Sequence, residues 1–534
     1  MSAQPSPSYD DLVARVAELT GLLEQTLARV ADLEGRLKLS SANSSKPPSS
    51  DGLAKAAPKS LRPRSGRGPG RPKGQDGVTL ERFADPDVVR HVPTVCAGCG
   101  NGLADAVEVD MMWRQVIDVA PVRPRVTEHQ LITLACGCGH HTTAAAPEEA
   151  VAPVVYGSRL AGIGVYLLHG QFLSVSRTAA ALKDLFGVPV ASGTVAGWVK
   201  RTALGIIEKV LPVIAGRITD APVANFDETG MRVEGRLAWL HSASTSTDVL
   251  LSVHPKRGTK AMDAIGILPA FAGVAVHDAW APYDTYLAVD HQLCCAHALR
   301  ELIYVTDTAT GPVADHARQA VTALRRLNRL VAEARTTEQP FDLQQAARYQ
   351  HILASAVVLG AQATAARTSK LQRKHHALFV RLRDRRDDYL RFVTDPAVPF
   401  DNNAAERTIR MPKLRVKVSG SMRTMTGAEH FAAIRSYIAT AARHGIDTLD
   451  ALIQAAAGTP GLQRPPDPLP PSHCHPVHGA AHPNQAPIQL RTNFAVLSRH
   501  NGDDRSRIRP QPLRNKESRP TGKRRRPILN RSTA

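Results

Sequence analysis

The sequence predicts a multidomain α/β protein, and three observations support this. The chain has 534 residues, which is enough for two to four domains with their own cores. Short apolar runs typical of strands lie between residues 222 and 276, whereas the segments on both sides have helical periodicity. Four of the seven cysteines form two tight pairs upstream of these runs, which is typical of a small metal-binding module.

The charge balance favours a polyanionic partner. Lys and Arg number 67 against 48 Asp and Glu, a formal charge of +19, and nucleic acid is then a more natural partner than a membrane. A merely basic soluble protein is the alternative. The region from Gly461 onward holds 14 basic and 4 acidic residues, so about half of the excess charge lies in a tail. No run of 18 apolar residues occurs and the N-terminus is polar, so we expect a cytoplasmic, nucleoid-associated protein without a membrane segment.

Residues 1–39 carry a heptad pattern that predicts a coiled-coil helix. Its two seams interleave with the 3–4 spacing of a coiled coil, although Thr26 weakens one of them. The seam residues are Val16, Leu23, Val30 and Leu37, and Leu12, Leu19, Thr26 and Leu33. The helix serves either as a dimerisation element or as an amphipathic helix packed on its own chain. Residues 40–78 are rich in Ser, Pro, Gly and Arg, and we expect a disordered basic linker there that contacts DNA phosphates or acts as a spacer.

Residues 79–150 predict a zinc-ribbon-like module. The ligand candidates are Cys96 and Cys99, with the usual spacing of a zinc knuckle, and Cys136 and Cys138, which are one residue closer together. His140 or His141 would substitute for one thiolate in an alternative ligand set. A second alternative is four reduced cysteines in a core, without structural Zn²⁺.

Residues 151–215 predict a helical, helix-turn-helix-like DNA-binding domain. Gly187 and Pro189 end one helix, and Ser192 is suited to cap the next. The second helix carries Trp198 and Lys200, which are candidates for contact with the major groove. An ordinary helical hairpin would have the same pattern.

The order of elements after residue 216 predicts a ribonuclease H-like core. Three strand-like runs, a helix over Lys260–Leu268 and a fourth strand follow one another. Asp227 comes at the end of the first run and Asp278 just past the fourth strand, and these two strands lie side by side in such a core. Glu406 lies one to two turns into a later helix, with Asp401 as a nearby rival. The predicted domain spans 216–459 with an α-helical insertion at about 305–398, and a disordered basic tail rich in Pro and Arg fills 460–534.

Several long motifs, in order, resemble the insertion-sequence 66 family of bacterial DDE transposases. They include GTVAGW at 193–198, FDET at 226–229, HDAWAPYDTY at 277–286, CCAHALREL at 294–302 and DNNAAERTIRMPKLRVKVSGS at 401–421. The resemblance covers roughly residues 40–453 and implies a retroviral-integrase-type core with Asp227, Asp278 and Glu406 as catalytic residues. The tail after about 460 departs from the family pattern.

The resemblance implies cleavage and joining of DNA strands with two Mg²⁺ or Mn²⁺ ions. Carboxylates suit hard cations, and two ions about 4 Å apart stabilise the attacking and leaving oxygens of a phosphodiester. Asp227 would bridge both ions, and Asp278 and Glu406 would each complete one site. Basic residues after Glu406 suit phosphate contacts; they are Arg407, Arg410, Lys413, Arg415 and Lys417. Cys294 and His297 form a C-x-x-H motif for which a structural role is expected.

The resulting prediction is a transposase that binds the terminal inverted repeats of its element. Its partners would be double-stranded DNA at the element ends and at the target, a second or further copy of the chain in a synaptic complex, and accessory proteins encoded by the element. Two alternatives remain: a domesticated DNA-binding regulator, and a ribonuclease H-like nuclease that cuts DNA without strand transfer.

Overall fold

A computed structural model of the chain describes residues 8–40, 43–44, 80–337 and 341–463. The chain divides into two compact units, one of residues 1–59 and 117–472 and the other of residues 60–116 and 473–534. Nearly all of the predicted linker and tail therefore lies outside the described residues. Within the described ranges, no helix is both long and apolar enough to cross a membrane.

The N-terminal segment forms one long helix, α1 (Tyr9–Lys38), which begins with a capping box between Ser8 and Asp11. Only its last turns contact the rest of the unit: Gly35 is buried, and its carbonyl accepts a hydrogen bond of 3.0 Å from the hydroxyl of Tyr304. Seam residues such as Val16 and Leu23 are about 60% exposed (63% and 59%). Packing on its own chain thus buries the end of this helix but leaves the seam residues Val16 and Leu23 exposed. The coiled coil stays a prediction.

The two cysteine pairs lie in two different units. In the unit of residues 60–116, an isolated bridge between Val95 and Gly102 closes the turn that carries the first pair. In the other unit, the short strands β1 (Thr133–Ala135) and β2 (His141–Thr143) form an antiparallel hairpin around the second pair. The predicted module at 79–150 is therefore divided between residues 116 and 117.

The predicted helix-turn-helix segment is helical and shares its core with the rest of its unit. Residue Gly187, with φ of +67°, ends one helix as predicted, whereas Ala191 rather than Ser192 is the N-cap of the next. Val165, Leu182 and Trp198 belong to the same core cluster as residues of the sheet, so this segment has no separate core. Its elements are α2 (Ser158–Val165), a π-helical turn (Tyr166–Gly170), α3 (Val175–Phe186), α4 (Ser192–Lys209) and α5 (Leu211–Thr219).

A five-stranded mixed sheet forms the centre of this unit. Its strands are β3 (Val223–Val233), β4 (Arg236–Ser244), β5 (Val249–His254), β6 (Val274–His277) and β7 (Asp290–Leu293). The spatial order is β5-β4-β3-β6-β7; β3, β4 and β5 pair antiparallel, and β6 joins β3 and β7 in parallel. The four predicted strands are confirmed, and β7 was not predicted.

One predicted helix is divided in two. The segment predicted as a single helix over 260–268 forms α6 (Thr259–Ile265) and α7 (Ile267–Ala270). Gly266 separates them with φ of +80°, a left-handed conformation that glycine adopts without strain. The connection still returns the chain to the sheet as β6, next to β3.

The region of the predicted α-helical insertion is helical, and residues such as Leu324, Leu327 and Phe379 share one core cluster with Val274 of β6 and Leu293 of β7. It consists of α8 (Cys295–Thr308), α9 (Gly311–Thr337), α10 (Leu343–Ala363), α11 (Lys370–Asp384) and α12 (Arg386–Thr394). The chain then returns to the sheet through α13 (Asn403–Ser419), which packs against β3 and β4, α14 (Met425–Arg443), which packs against β5, and α15 (Thr448–Ala456).

Candidate active site

Asp227 lies in the middle of β3 rather than at its end. The sequence predicted that the strand stops here, but β3 continues to Val233 because its second half pairs with β4, where Asp227 faces Ser242. The parallel pairing with β6 covers only Val223–Asn225. Asp227 is therefore two residues beyond the last pair with β6, which places it next to the end of that strand.

Asp278 is the first residue after β6, as predicted. Its Oδ1 accepts a hydrogen bond of 3.1 Å from the backbone N–H of Trp280, which fixes the carboxylate at the start of the following loop. The parallel pairing of β3 with β6 brings Asp227 and Asp278 to the same end of the sheet.

Glu406 lies in the first turn of α13, facing two residues of α8. Its Oε1 is 3.4 Å from Nη2 of Arg300 and 3.8 Å from Nε2 of His297. Burial, with Arg300 nearby, lowers the pKa of His297 to about 4, so this imidazole is neutral near pH 7. Arg300 is thus the cation that holds the carboxylate of Glu406.

Asn402 connects the start of α13 to the strand that carries Asp227. It is 2% exposed; its Nδ2 donates to the carbonyl of Phe226 at 2.7 Å, and its Oδ1 accepts from Nδ2 of Asn225 at 2.8 Å. Its backbone N–H donates to Sγ of Cys294 at 3.2 Å. Asn402, through its side chain and its backbone N–H, therefore joins β3 to the starts of α8 and α13.

The electrostatics of the site favour a cation. Burial, and then the carboxylates of Glu228, Asp278 and Glu406, raise the pKa of Asp227 to about 7. In the part of the chain that the structure describes, no three His, Cys, Asp or Glu side chains are gathered closely enough to hold a metal ion as they stand. The donor set nevertheless fits a hard divalent cation, since it consists of carboxylate oxygens whose mutual repulsion a cation would relieve.

Asp401, the rival of Glu406, serves as a local cap. Its Oδ1 accepts from the backbone N–H of Asn403 at 3.0 Å, and its Oδ2 accepts from the side-chain amide of the same residue at 2.6 Å. Both oxygens are thus engaged within the loop before α13.

Glu228 is neutralised by its own partners. Its Oε1 pairs with Nη2 of Arg257 at 2.6 Å, and its Oε2 accepts from the hydroxyl of Tyr283 at 2.7 Å. The guanidinium of Arg257 in turn lies 3.8 Å from the ring centre of Trp280 and 4.9 Å from that of Trp239. Glu228 is therefore a structural acid, although it adjoins Asp227.

The aromatic residues beside Asp278 mainly pack. His277 is fully buried, stacks on Tyr283 with ring centres 4.2 Å apart, and shares a hydrogen bond of 2.9 Å with His291. Burial lowers the pKa of His277 to about 3, so it is neutral near pH 7. The structure therefore places His277 in the core.

The basic residues predicted to bind DNA have different environments. Arg407, Arg410, Lys413 and Lys417 are exposed along α13, whereas Arg415 is half-buried. Lys200 on α4 is exposed.

The prediction that Trp198 contacts the major groove is wrong. Trp198 is 3% exposed and packs edge-on against Tyr156, with ring centres 5.6 Å apart. Its indole is therefore part of the core and does not face a groove.

Among the described residues, the C-x-x-H motif is not part of a group of three or more side chains that could hold a metal ion. Cys294 is buried and accepts the backbone N–H of Asn402, and burial raises the pKa of its thiol to about 12. His297 faces Glu406 instead. The expected structural role fits Cys294, whereas His297 belongs to the surroundings of the acids.

The four knuckle cysteines lie at the surface in tight turns. Cys99, Cys136 and Cys138 are exposed and Cys96 is half-buried, which excludes the alternative of core cysteines. In the first turn, backbone N–H groups of Cys99 and Gly98 lower the pKa of Cys96. In the second turn, hydrogen bonds from Cys138 lower the pKa of Cys136. Each turn on its own favours a thiolate, which is the form that binds zinc.

The sequence predicts neither the role of Arg300 nor the contacts of Asn402. Arg300 follows His297 by three residues, so the helical period places both on one face of α8, which was the available signal. Asn402 had no such signal, because its partners Asn225 and Phe226 are distant in sequence.

Comparison with protein-family models gives three matches. Residues 153–430, more than half of the chain, match the family described as "Transposase IS66 family". Residues 93–139 match the "zinc-finger binding domain of transposase IS66", and residues 3–81 match a family of unknown function, DUF6444. A search of curated proteins finds no match.

Proposed function

Because the chain belongs to the IS66 family of transposases, we propose that it cleaves and joins DNA strands at a site formed by Asp227, Asp278 and Glu406. The observation that supports the proposal most is that Asp227 of β3 lies close enough to Asp278, after β6, and Glu406, on α13, for both carboxylates to raise its pKa. The order β5-β4-β3-β6-β7, with its antiparallel and parallel halves, supports a ribonuclease H-like core.

Asp227, Asp278 and Glu406 are the residues that would hold Mg²⁺ or Mn²⁺. Such ions, when bound, stabilise the negative charge that develops on a phosphodiester during cleavage. The chain's own contribution is positional: Asn402 fixes α13 against β3, and Arg300 orients Glu406. The exposed arginines and lysines of α13 would bind the phosphates that flank the cut.

The proposed reaction has two steps at the same site. Water first hydrolyses a phosphodiester at the element end and leaves a free 3′-hydroxyl. That hydroxyl then attacks a phosphodiester of the target, forming a new bond as the target's 3′-oxygen leaves with a proton. No net phosphodiester is lost in the second step, so joining needs no ATP.

The zinc-finger match supports a structural Zn²⁺. The sequence predicts Cys96, Cys99, Cys136 and Cys138 as its ligands, and all four positions fall within the matched residues 93–139. Purified full-length protein should contain about one zinc per chain, and Cys99→Ser should lower that content. A metal analysis that finds no zinc in the wild type would remove this part of the proposal.

Labelled duplex with the element's terminal repeats, a target plasmid and Mg²⁺ provide the main test. We expect the wild type to cut the repeat end and join it to the plasmid. Asp227→Asn should lose at least about 1,000-fold in rate while its DNA affinity stays within about twofold. Asp263→Asn is a matched control, since that acid lies on α6 and bonds the hydroxyl of Tyr286.

The same assay separates the alternatives. If the protein cuts DNA without joining it, the nuclease assignment is favoured over transposase. If it binds DNA without cutting it, the assignment of a DNA-binding regulator is favoured. Cleavage retained by Asp227→Asn would overturn the assignment of the site.

A further inference from the structure

A second cluster of charge lies where the π-helical turn meets α13 and α14. Arg415, near the end of α13, and Arg435, on α14, face His169 of the π-helical turn. Arg435 donates from Nη1 to the carbonyl of His169 at 3.3 Å. The rings of His169 and Phe431 lie 5.7 Å apart, and the guanidinium of Arg415 lies 5.7 Å from the ring centre of Phe431.

The cluster contains buried donors without partners. His169 is 5% exposed, and neither ring nitrogen has a hydrogen-bond partner within the described ranges. The same is true of Nε of Arg435, which is likewise buried. Buried polar groups are normally satisfied. The one N–H of a neutral His169 and the Nε–H of Arg435 leave two donors for an acceptor from outside the chain.

The positive charge of the cluster is also unbalanced. Among the described residues, no carboxylate forms an ion pair with Arg415 or Arg435. Burial lowers the pKa of both guanidinium groups, that of Arg435 to about 10. A buried cation without a counter-ion is costly, which favours an anion supplied from outside the chain.

The backbone beside the cluster is held in an uncommon conformation. Phe172 has φ of +59°, a left-handed value that is rare for a bulky residue. The hydroxyl of Ser419 donates to the carbonyl of Phe172, and the guanidinium of Arg435 lies 5.3 Å from its ring centre. Strain of this kind persists where the surroundings impose it, and it is concentrated at ligand sites.

We propose that Arg415, Arg435 and His169 bind a phosphate of the DNA backbone away from the carboxylates. This inference rests on the proposed function and adds a binding site to it. Guanidinium groups suit phosphate because their N–H donors match two of its oxygens, and a neutral imidazole offers one further donor.

The spacing along α13 separates the cluster from the carboxylates. Arg415 follows Glu406 by nine residues on one helix, a rise of about 14 Å. Nine residues are about two and a half helical turns, so the two side chains project from opposite faces of α13. The cluster would therefore contact a different part of the duplex from the carboxylates.

The test compares binding of a 20-base-pair duplex by the full-length wild type, Arg435→Met and Arg415→Met, by fluorescence anisotropy at several salt concentrations. Each variant should bind about tenfold more weakly, and the slope of log affinity against log salt should fall by about one. Arg348→Met on α10 removes an exposed arginine as the control, and it should keep wild-type affinity. Arg435→Lys, which keeps the charge, should recover part of the loss.

A second arm distinguishes backbone phosphate from free phosphate. Wild-type Tm is measured in inorganic phosphate and in chloride at equal ionic strength. A Tm increase in phosphate supports a phosphate site, and its loss in Arg415→Met assigns that site to the cluster. Weaker duplex binding in the variants then identifies the DNA backbone as the source, whereas a Tm effect without it would overturn that assignment in favour of free phosphate.

The inference would be overturned if both cluster variants bound duplex with wild-type affinity and salt slope, or if Arg348→Met lost as much. In either case a wild type that still cuts terminal-repeat DNA would leave the proposed function intact. A wild type that neither binds nor cuts DNA would instead remove both. Arg415 is half-buried, so its variant remains informative if Arg435→Met fails to fold.

Discussion

The acidic site and the basic cluster differ in sign but share one feature, which is buried charge that the protein does not neutralise. Asp227 is surrounded by further carboxylates, whereas Arg415 and Arg435 have no acidic partner among the described residues. Both sites use α13, which carries Glu406 in its first turn and Arg415 toward its end. Glu228 and Arg257 show the contrasting case, since they neutralise each other. The difference indicates which buried charges serve a ligand and which serve the fold.

Among the substitutions that test the comparison of the acidic site with the basic cluster, Glu406→Gln should have the largest effect on the rate of DNA cleavage. It removes one carboxylate from the acidic site, and DNA cleavage should fall by at least about 1,000-fold. Asp401→Asn is the matched control, because Asp401 is bonded to Asn403 and should cost less than about tenfold. Cleavage rates at saturating Mg²⁺ measure both. The reverse order of losses would make Asp401 the third acid.

Asn402→Ala should reduce activity by about 10- to 100-fold through the position of Glu406. The variant loses the bonds to Phe226 and Asn225 that fix α13 against β3. A positioning role predicts that the Mg²⁺ concentration for half-maximal cleavage rises, so excess Mg²⁺ should restore part of the rate. Asn403→Ala, an exposed neighbour, serves as the control. An unchanged Mg²⁺ requirement in Asn402→Ala would leave only a structural role.

The ion pair of Glu228 and Arg257 should affect the stability of the protein rather than its cleavage rate, and the effect should be smaller. Arg257→Met leaves Glu228 buried without its cation and should cost about 1–3 kcal/mol of stability. Burial already raises the pKa of Glu228. An acid whose pKa is raised in the folded state destabilises the fold as pH rises, so the loss in Tm should be larger at pH 8 than at pH 5. If Arg257→Met lowered Tm equally at pH 5 and pH 8, the buried charge of Glu228 would not be the cause of the instability.

The sequence predicted the elements that carry the candidate acids better than it predicted the surroundings of those acids. Asp278 directly follows β6 and Glu406 lies in the first turn of α13, and local patterns identify such positions. The end of β3 was misplaced because its continuation depends on pairing with β4, which no local pattern shows. Trp198 was assigned to DNA because helical periodicity does not say which face a neighbouring helix will cover. The basic cluster joins residues from 169 to 435, so only the folded chain reveals it.

Binding of Mn²⁺ to the full-length protein, measured by electron paramagnetic resonance at pH 8, tests the acidic site most directly. The wild type should bind Mn²⁺ saturably, and the affinity should fall as pH drops through about 7, where Asp227 takes up a proton. Asp227→Asn should lose this binding, whereas Asp263→Asn should keep it. Equal Mn²⁺ binding by the wild type and Asp227→Asn would contradict the central claim that these carboxylates form the cation site.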